Sequence, residues 1–354
     1  MSLTLPLSNL WSRMISFDHL LSAYQLARKG KRKRTEVANF SLELEERLFD
    51  LQLDLQTGRY QPGEYRQFTV YERKPRPIAA APFRDRIVHQ ALMSLIEPAL
   101  DARFYVHSYA CRRGKGMHKA IDQYRQWARR YAYVLKLDIA RYFPNIDHEI
   151  LYSQLCRHID DENVLKLIRL LIDTSPDYPQ EATFFYPGDD LITPTIRRRG
   201  IPIGNLTSQF FANYYLNEFD YWIVGELGIP AYLRYVDDLC LLADSKAQLW
   251  QAAAAIEAFL NHHLRLSLRP GKTLLRPTRE KIDLLGYQVS RQRRWLRNDN
   301  GYRFQRKLKR ATERIQQREW TMAEFKPSLM SWIGHAQHAE TLNLREKIFS
   351  KRRF

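Results

Sequence analysis

Apolar residues recur at helical spacing along most of the chain and at strand spacing in a few short runs. Between Asp85 and Leu100, Ile87, Val88, Ala91, Leu92, Leu95 and Ile96 form one stripe of a helix. The same spacing predicts helices over residues 8–30, over Phe40–Gln56 and over His148–His158, with a further stripe at Val164, Leu167, Ile168 and Leu171. Ser208–Leu227, carrying Phe210, Phe211, Tyr214, Tyr215, Leu216 and Phe219, and the alanine-rich Lys246–Leu264 complete this set. Strand patterns are fewer. Tyr65–Tyr71 alternates after a turn over Gly58–Gly63, and Tyr133–Ile139 is a short apolar run that ends beside an acid. Residues 173–199 are polar, aromatic and proline-containing, and predict an irregular hairpin. A basic, helical lobe is expected from near residue 290. Short strands alternating with helices between Val134 and Val289 predict an α+β core. No Gly-rich phosphate loop of the dinucleotide or nucleotide-triphosphatase type is present, which disfavours those folds.

One apolar run breaks the rules of a buried strand. Ala231–Ala243 is interrupted by the adjacent acids of Tyr235-Val236-Asp237-Asp238. Unpaired carboxylates in a strand interior lose more by desolvation than their neighbours recover. A tight turn between two short strands escapes that cost, and a divalent cation would offset much of it. A surface hairpin with an acidic tip is the alternative. Asp138, at the end of the Tyr133–Ile139 run, has a similar context; alone it could cap a helix or pair with an arginine. Together, Asp138 and Asp237 can meet on adjacent strands of one sheet and bind two divalent ions about 4 Å apart. Hard carboxylate oxygens suit Mg²⁺, and Mn²⁺ can substitute. Asp238 either joins them weakly or caps the turn.

Charge narrows the partner. Lys and Arg number 56 against 39 Asp and Glu, a formal charge of +17 that favours a polyanion. Membrane lipid is a second possible anion, yet no apolar stretch approaches the ~18 residues needed to span a bilayer, so no membrane partner is expected. Lys31-Arg32-Lys33-Arg34 is either a solvated linker or a phosphate contact. The amino terminus carries no secretion signal, and Cys111, Cys156 and Cys240 lie far apart without a zinc-like pair. A reducing compartment, the cytoplasm, is expected.

With these residues quoted, a resemblance becomes specific. Lys74-Pro75-Arg76-Pro77-Ile78, Asp85–Ala91, Ser108–His118, Asp138–Asp147, Gly200–Leu216, Tyr235–Asp238, Gly271-Lys272-Thr273 and Leu285-Gly286-Tyr287 resemble, in order, the motifs of prokaryotic reverse transcriptases. The resemblance implies a right-hand polymerase with an RRM-like palm built on an antiparallel sheet and a helical thumb. Residues 1–130 would form an N-terminal extension and fingers, to which 165–205 returns; 131–164 and 206–289 the palm; and 290–354 the thumb. It implies catalysis by Asp138, Asp237 and Asp238, and metal contacts at Asp138, Ile139, Asp237 and Asp238. It places Phe143 as a steric gate against ribose 2′-hydroxyls. Nucleotide contacts are implied for Lys74, Arg76, Arg84, Ile203, Gly204, Gln209 and Lys272, and primer or template contacts for Leu285, Gly286, Tyr287, Lys307, Lys309 and Arg310. Arg73 and Arg86 belong to the same basic cluster as Arg76 and Arg84, while Trp332 is expected to be core.

The Gly200–Gln209 segment departs from the usual pattern. Usual relatives carry Pro-Gln-Gly and later Ser-Pro, whereas this chain has Ile203 before Gly204 and Gln209 after Ser208. Thr207 or Ser208 is expected to cap the helix that follows. The altered form resembles the reverse transcriptases of diversity-generating retroelements, in which misincorporation falls opposite template adenines. Losing an amide that hydrogen-bonds nucleotide or template would weaken geometric selection. The resemblance further implies an RNA template, a DNA or RNA primer, deoxynucleoside triphosphates and a small basic accessory protein. Expected to be absent are ribonuclease H, integrase, endonuclease and zinc-finger regions. Other readings are a retron, group II-like or phage-defence reverse transcriptase, or a nucleic-acid-binding protein with a degenerate palm.

Overall fold

The computed structural model describes residues 7–71, 75–176, 178 and 185–350; Arg73 and Lys74 lie outside the described residues. The stripe read over Asp85–Leu100 becomes the helix Phe83–Asp101. Ile87, Val88, Ala91, Leu92 and Ile96 are buried on it, and Leu20, Tyr24, Phe40, Leu48 and Leu51 of the preceding helices join the same core. Each such aliphatic side chain contributes about 1.5–3 kcal/mol by leaving water. The helix expected over 8–30 divides into Trp11–Met14 and Phe17–Ala27, and that over Phe40–Gln56 into Thr35–Leu42 and Leu44–Gln56. At the second break Glu43 leaves helical geometry, with φ −123° and ψ 48°. The basic run Lys31–Arg34 forms the turn before Thr35–Leu42, where burial, then Arg86 and Arg34, lower the Lys31 pKa.

Nine strands form three antiparallel sheets among the described residues. β1 (Arg66–Tyr71) pairs with β2 (Pro75–Ala80) as a two-stranded, largely exposed ribbon. β3 (Tyr133–Asp138), β4 (Tyr232–Tyr235), β5 (Asp238–Ala243) and β6 (Leu274–Pro277) assemble in the order β4-β5-β3-β6. β7 (Ile282–Leu284), β8 (Tyr287–Val289) and β9 (Arg294–Leu296) make the third sheet. Side chains alternate across the central sheet. Leu135, Leu137, Leu239 and Leu241 face the helical core, while Val134, Leu233, Cys240 and Leu242 face a second core. That second core includes Ile121 and Tyr124 of the Met117–Ala128 helix, Tyr287 of β8, and Phe304, Leu308 and Trp332 of the C-terminal helices. The sheet is therefore covered on both faces, and its acids lie at the strand ends.

Three expectations about the segments beside this sheet change. Described residues of 173–199 form no hairpin. Instead Asp190 accepts hydrogen bonds from the Ile192 and Thr193 amides and starts the short helix Thr193–Ile196. The buried Arg197 guanidinium pairs with Asp189 and lies 3.5 Å from Asp147. Ser208–Leu227 is two helices, Leu206–Tyr215 and Asn217–Gly225, broken at Leu216. Asn217 Oδ1 accepts from the Tyr105 amide at 3.0 Å and its Nδ2 donates to the Arg103 carbonyl, tying the break to a distant segment. Neither Thr207 nor Ser208 caps the first helix. Both are buried in its opening turn, and Asn205 is the N-cap residue, its own Oδ1 accepting from the Ala81 amide. The C-terminal helices are Asn298–Gln316, Met322–Gln337 and Leu342–Phe349. Trp332 is core, stacked on Phe304 at 3.9 Å with its indole N–H donating to Asn300. The three cysteines are free. Among the described residues no helix is long and apolar enough to cross a membrane.

Candidate active site

Two elements far apart in sequence place the acids side by side. β3 and β5 pair so that Asp138 stands directly opposite Asp238, and the Ile139 amide donates to the Asp237 carbonyl at 3.2 Å. β4 and β5 form a hairpin in which Tyr235 pairs with Asp238, leaving Val236 and Asp237 as its two-residue loop. Val236 adopts φ +57°, a left-handed conformation that costs an L-residue about 1–2 kcal/mol and a β-branched one no less. The loop is strained where it presents Asp237.

Like charges opposite one another destabilise a sheet, so compensating groups matter. Lys136, on the same face of β3, brings its Nζ to 2.9 Å from Asp238 Oδ1. Arg269 Nη1 lies 3.5 Å from Asp138 Oδ1, and its amide donates to the Asp138 carbonyl at 2.7 Å. Asp237 lies in the loop between β4 and β5. Its carboxyl is pushed up to about 6, chiefly by burial, then by the Asp238 and Asp138 charges, with Arg76 opposing. Among the described residues, no group of three or more His, Cys, Asp or Glu side chains is gathered tightly enough to hold a metal ion by itself. The acids offer hard oxygens, and Mg²⁺ is commonly held by one or two carboxylates, with substrate phosphates and water completing its shell. The donor set fits that cation.

Around the acids, the other expected site residues fall into distinct environments. Phe143 is partly buried against the helical core, edge-on to Tyr142, and its carbonyl accepts from the Ile201 amide. The Ile203 carbonyl accepts from Ala79 of β2 at 3.1 Å, and its amide donates to the Tyr178 hydroxyl. Gly204 has φ +125°, and an added Cβ there would come within 2.9 Å of Ile78 Cγ2, so only glycine lets the loop lie on β2. Gly204, Gln209, Arg76 and Lys272 are exposed. Arg84 is already engaged: it donates to Asp54 at 2.6 Å and lies over the Tyr60 ring. Arg86 likewise donates to the Ala81 carbonyl and pairs with Glu36.

Leu285 and Gly286, with φ +47° and +89°, form the tight turn between β7 and β8. Tyr287 is fully buried and its hydroxyl donates to the His335 carbonyl at 2.8 Å, so its position is a docking contact for the C-terminal helices rather than an open surface. Lys307, Lys309 and Arg310 are exposed along the Asn298–Gln316 helix.

Sequence reasoning passed over the charged groups that hold the acids in place. Lys136 and Arg269 are two. Below the sheet, Arg234 and Asp220 form a fully buried ion pair at 2.6 Å. Their signal was present, as charged residues inside the apolar runs Ala231–Tyr235 and Phe219–Val224, but its partner could not be chosen from sequence.

A family model described as reverse transcriptase (RNA-dependent DNA polymerase) matches residues 67–289. Protein YkfC of Escherichia coli is 25% identical over 279 residues, which cover 68% of this chain and 70% of that protein. The group II intron-encoded protein LtrA of Lactococcus lactis is 23% identical over 185 residues, covering 51% of this chain and 28% of LtrA. An apo telomerase structure from Candida tropicalis matches at 12% identity with a TM-score of 0.47, over 68% of this chain and 57% of that one.

Proposed function

The chain belongs to the reverse transcriptase (RNA-dependent DNA polymerase) family, and on that premise we propose that it copies an RNA template into cDNA by extending a DNA or RNA primer. The observation that carries this reading is the register that sets Asp138 against Asp238 while Ile139 bonds the Asp237 backbone. Two Mg²⁺ ions at Asp138 and Asp237, with Ile139 beside them and Mn²⁺ able to replace them, would lower the pKa of the primer hydroxyl and offset charge on the departing pyrophosphate. Asp237 must be ionised to serve; in the metal-free protein burial and the Asp238 and Asp138 charges hold its pKa up to about 6, and a bound cation would favour the ionised form. Lys136 pairs with one oxygen of Asp238 and limits repulsion across the strands, while the other oxygen is left to contribute weakly to the cation site.

In this reading the β1-β2 ribbon and the N-terminal helices act as fingers, the central sheet as palm and the C-terminal helices as thumb. Phe143 blocks a 2′-hydroxyl, while Arg76, Lys272 and the Ile203–Gly204 loop meet the incoming deoxynucleotide. Lys74 is assigned there by its motif alone. Arg84 would have to leave Asp54 to reach a triphosphate, so Arg76 is the better placed cation. Leu285 and Gly286 would touch the primer, and Lys307, Lys309 and Arg310 the duplex phosphates.

Ile203 and Gln209 support the finer assignment to an error-prone enzyme of a diversity-generating retroelement, working in the cytoplasm with a small basic accessory protein. A second reading, an intron-associated enzyme, is favoured by relatives named as an intron-encoded protein and as nuclear intron maturases of Arabidopsis thaliana. Primer extension on an RNA template tests the common core. The wild type should extend with Mg²⁺ and Asp237→Asn should not; binding of primer-template without extension by either would leave only a nucleic-acid-binding protein.

A further inference from the structure

Directly beneath the acid-bearing loop, on the opposite face of the sheet from Asp138 and Asp238, lies the buried Arg234–Asp220 pair. Arg234 Nε donates to Asp220 Oδ1 at 2.7 Å, and Nη2 donates to Oδ2 at 2.6 Å. Tyr232 donates to the same carboxylate at 2.7 Å. A fork of this kind is rigid and fixes the guanidinium plane. Its remaining N–H groups point elsewhere. Nη2 reaches the Asn213 carbonyl at 3.0 Å and Nη1 the Asn213 Oδ1 at 3.2 Å, while Nη1 also reaches the Val236 carbonyl at 3.3 Å.

These contacts meet at the strained residue. The Val236 carbonyl belongs to the peptide that leads into Asp237, and Val236 is the residue with φ +57°. Strained conformations persist only where surrounding groups over-determine them. Arg234 is also held through its own backbone, donating to the His107 carbonyl and accepting from the Tyr109 amide. Asn213 lies on Leu206–Tyr215, the helix that follows the Ile203–Gly204 loop, so one guanidinium joins that helix, the Asn217–Gly225 helix and the acid-bearing turn.

We propose that Arg234, clamped by Asp220 and Asn213, is a positioning residue that holds the Val236–Asp237 loop in its left-handed form and couples it to the helix behind the nucleotide loop. The role rests on the polymerase reading for its catalytic consequence, but the clamp itself operates in the metal-free protein. Lysine at this position keeps the charge and loses the fork, so Asp220 retains a partner while the Val236 carbonyl loses its donor.

The test uses full-length protein without metal. Hydrogen exchange of peptides covering 235–239 should quicken about tenfold in Arg234→Lys, with exchange over Lys246–Leu264 unchanged, as for a local opening. On RNA primer-template, kcat should fall about 10²-fold with the deoxynucleotide KM nearly constant, the loss expected from misplacing a reacting group by about 1 Å. Exchange that rises uniformly along the chain, or an unchanged kcat in folded protein, would overturn the proposal. Should Arg234→Lys fail to fold, Asn213→Ala leaves the ion pair intact and carries the same exchange test; unchanged exchange at 235–239 then overturns it. Wild-type protein that extends no primer removes the polymerase reading, and the exchange result still decides the clamp.

Discussion

Replacing Asp237 by asparagine separates catalysis from stability in opposite directions. The side chain keeps its shape and loses only its charge, in a place where the charge is disfavoured by burial and by Asp238 and Asp138. The folded carboxyl sits at about 6 against an ordinary 3.8. A raised folded pKa means that the native state binds the proton more tightly than the unfolded chain. The associated stability is complete below about pH 4 and is lost as pH rises through about 6. That shift corresponds to at most about 3 kcal/mol, and solvent screening of a partly exposed loop reduces it to about 1 kcal/mol. Asparagine cannot ionise, so Asp237→Asn should unfold at a higher temperature than wild type at pH 8, by roughly 2 °C per kcal/mol, and match it near pH 4. Extension should fall by at least about 10³-fold, since a charge that stabilises the transition state is gone. Thermal melts from pH 4 to 8 beside primer extension measure both. A variant less stable at pH 8, or a stability difference independent of pH, would refute the electrostatic account of this loop.

Other substitutions probe its surroundings. Lys136→Met removes the 2.9 Å partner of Asp238, which stands opposite Asp138, so denaturant unfolding at pH 8 should show a loss of about 1–2 kcal/mol. Gly204→Ala must strain φ +125° and push Ile78, and should raise the deoxynucleotide KM about tenfold with primer-template affinity retained, as binding assays would show. Ile203→Gln should lower misincorporation opposite template adenines, read by sequencing cDNA; an unchanged adenine error rate would count against the retroelement assignment.

The acidic hairpin was legible because charges interrupt an apolar run, and burial makes such an interruption costly. The helices Phe83–Asp101 and Lys246–Leu264 were legible from their stripes, the second with the bounds read from sequence. What sequence missed depended on distant partners. Nothing local marks the break at Leu216, which Asn217 secures by reaching Arg103 and Tyr105. Ser208 and Thr207 have the chemistry of caps, yet the helix begins two or three residues earlier because Asn205 anchors the chain to Ala81. Tyr287 lies in a motif suggestive of primer contact, but docking of the Met322–Gln337 helix buries it. The pairing of Arg234 with Asp220 required both β4 and the Asn217–Gly225 helix to be placed first.

The claim on which the functional account depends is that Asp138 and Asp237 share hard cations when primer, template and nucleotide are bound. Anomalous scattering from Mn²⁺ in crystals of that ternary complex locates the ions directly. The account predicts peaks within ligand distance of both carboxylates, about 2.0–2.2 Å, beside Ile139 and the nucleotide phosphates. Ions bound away from Asp138 and Asp237, in crystals whose primer still extends, would contradict it.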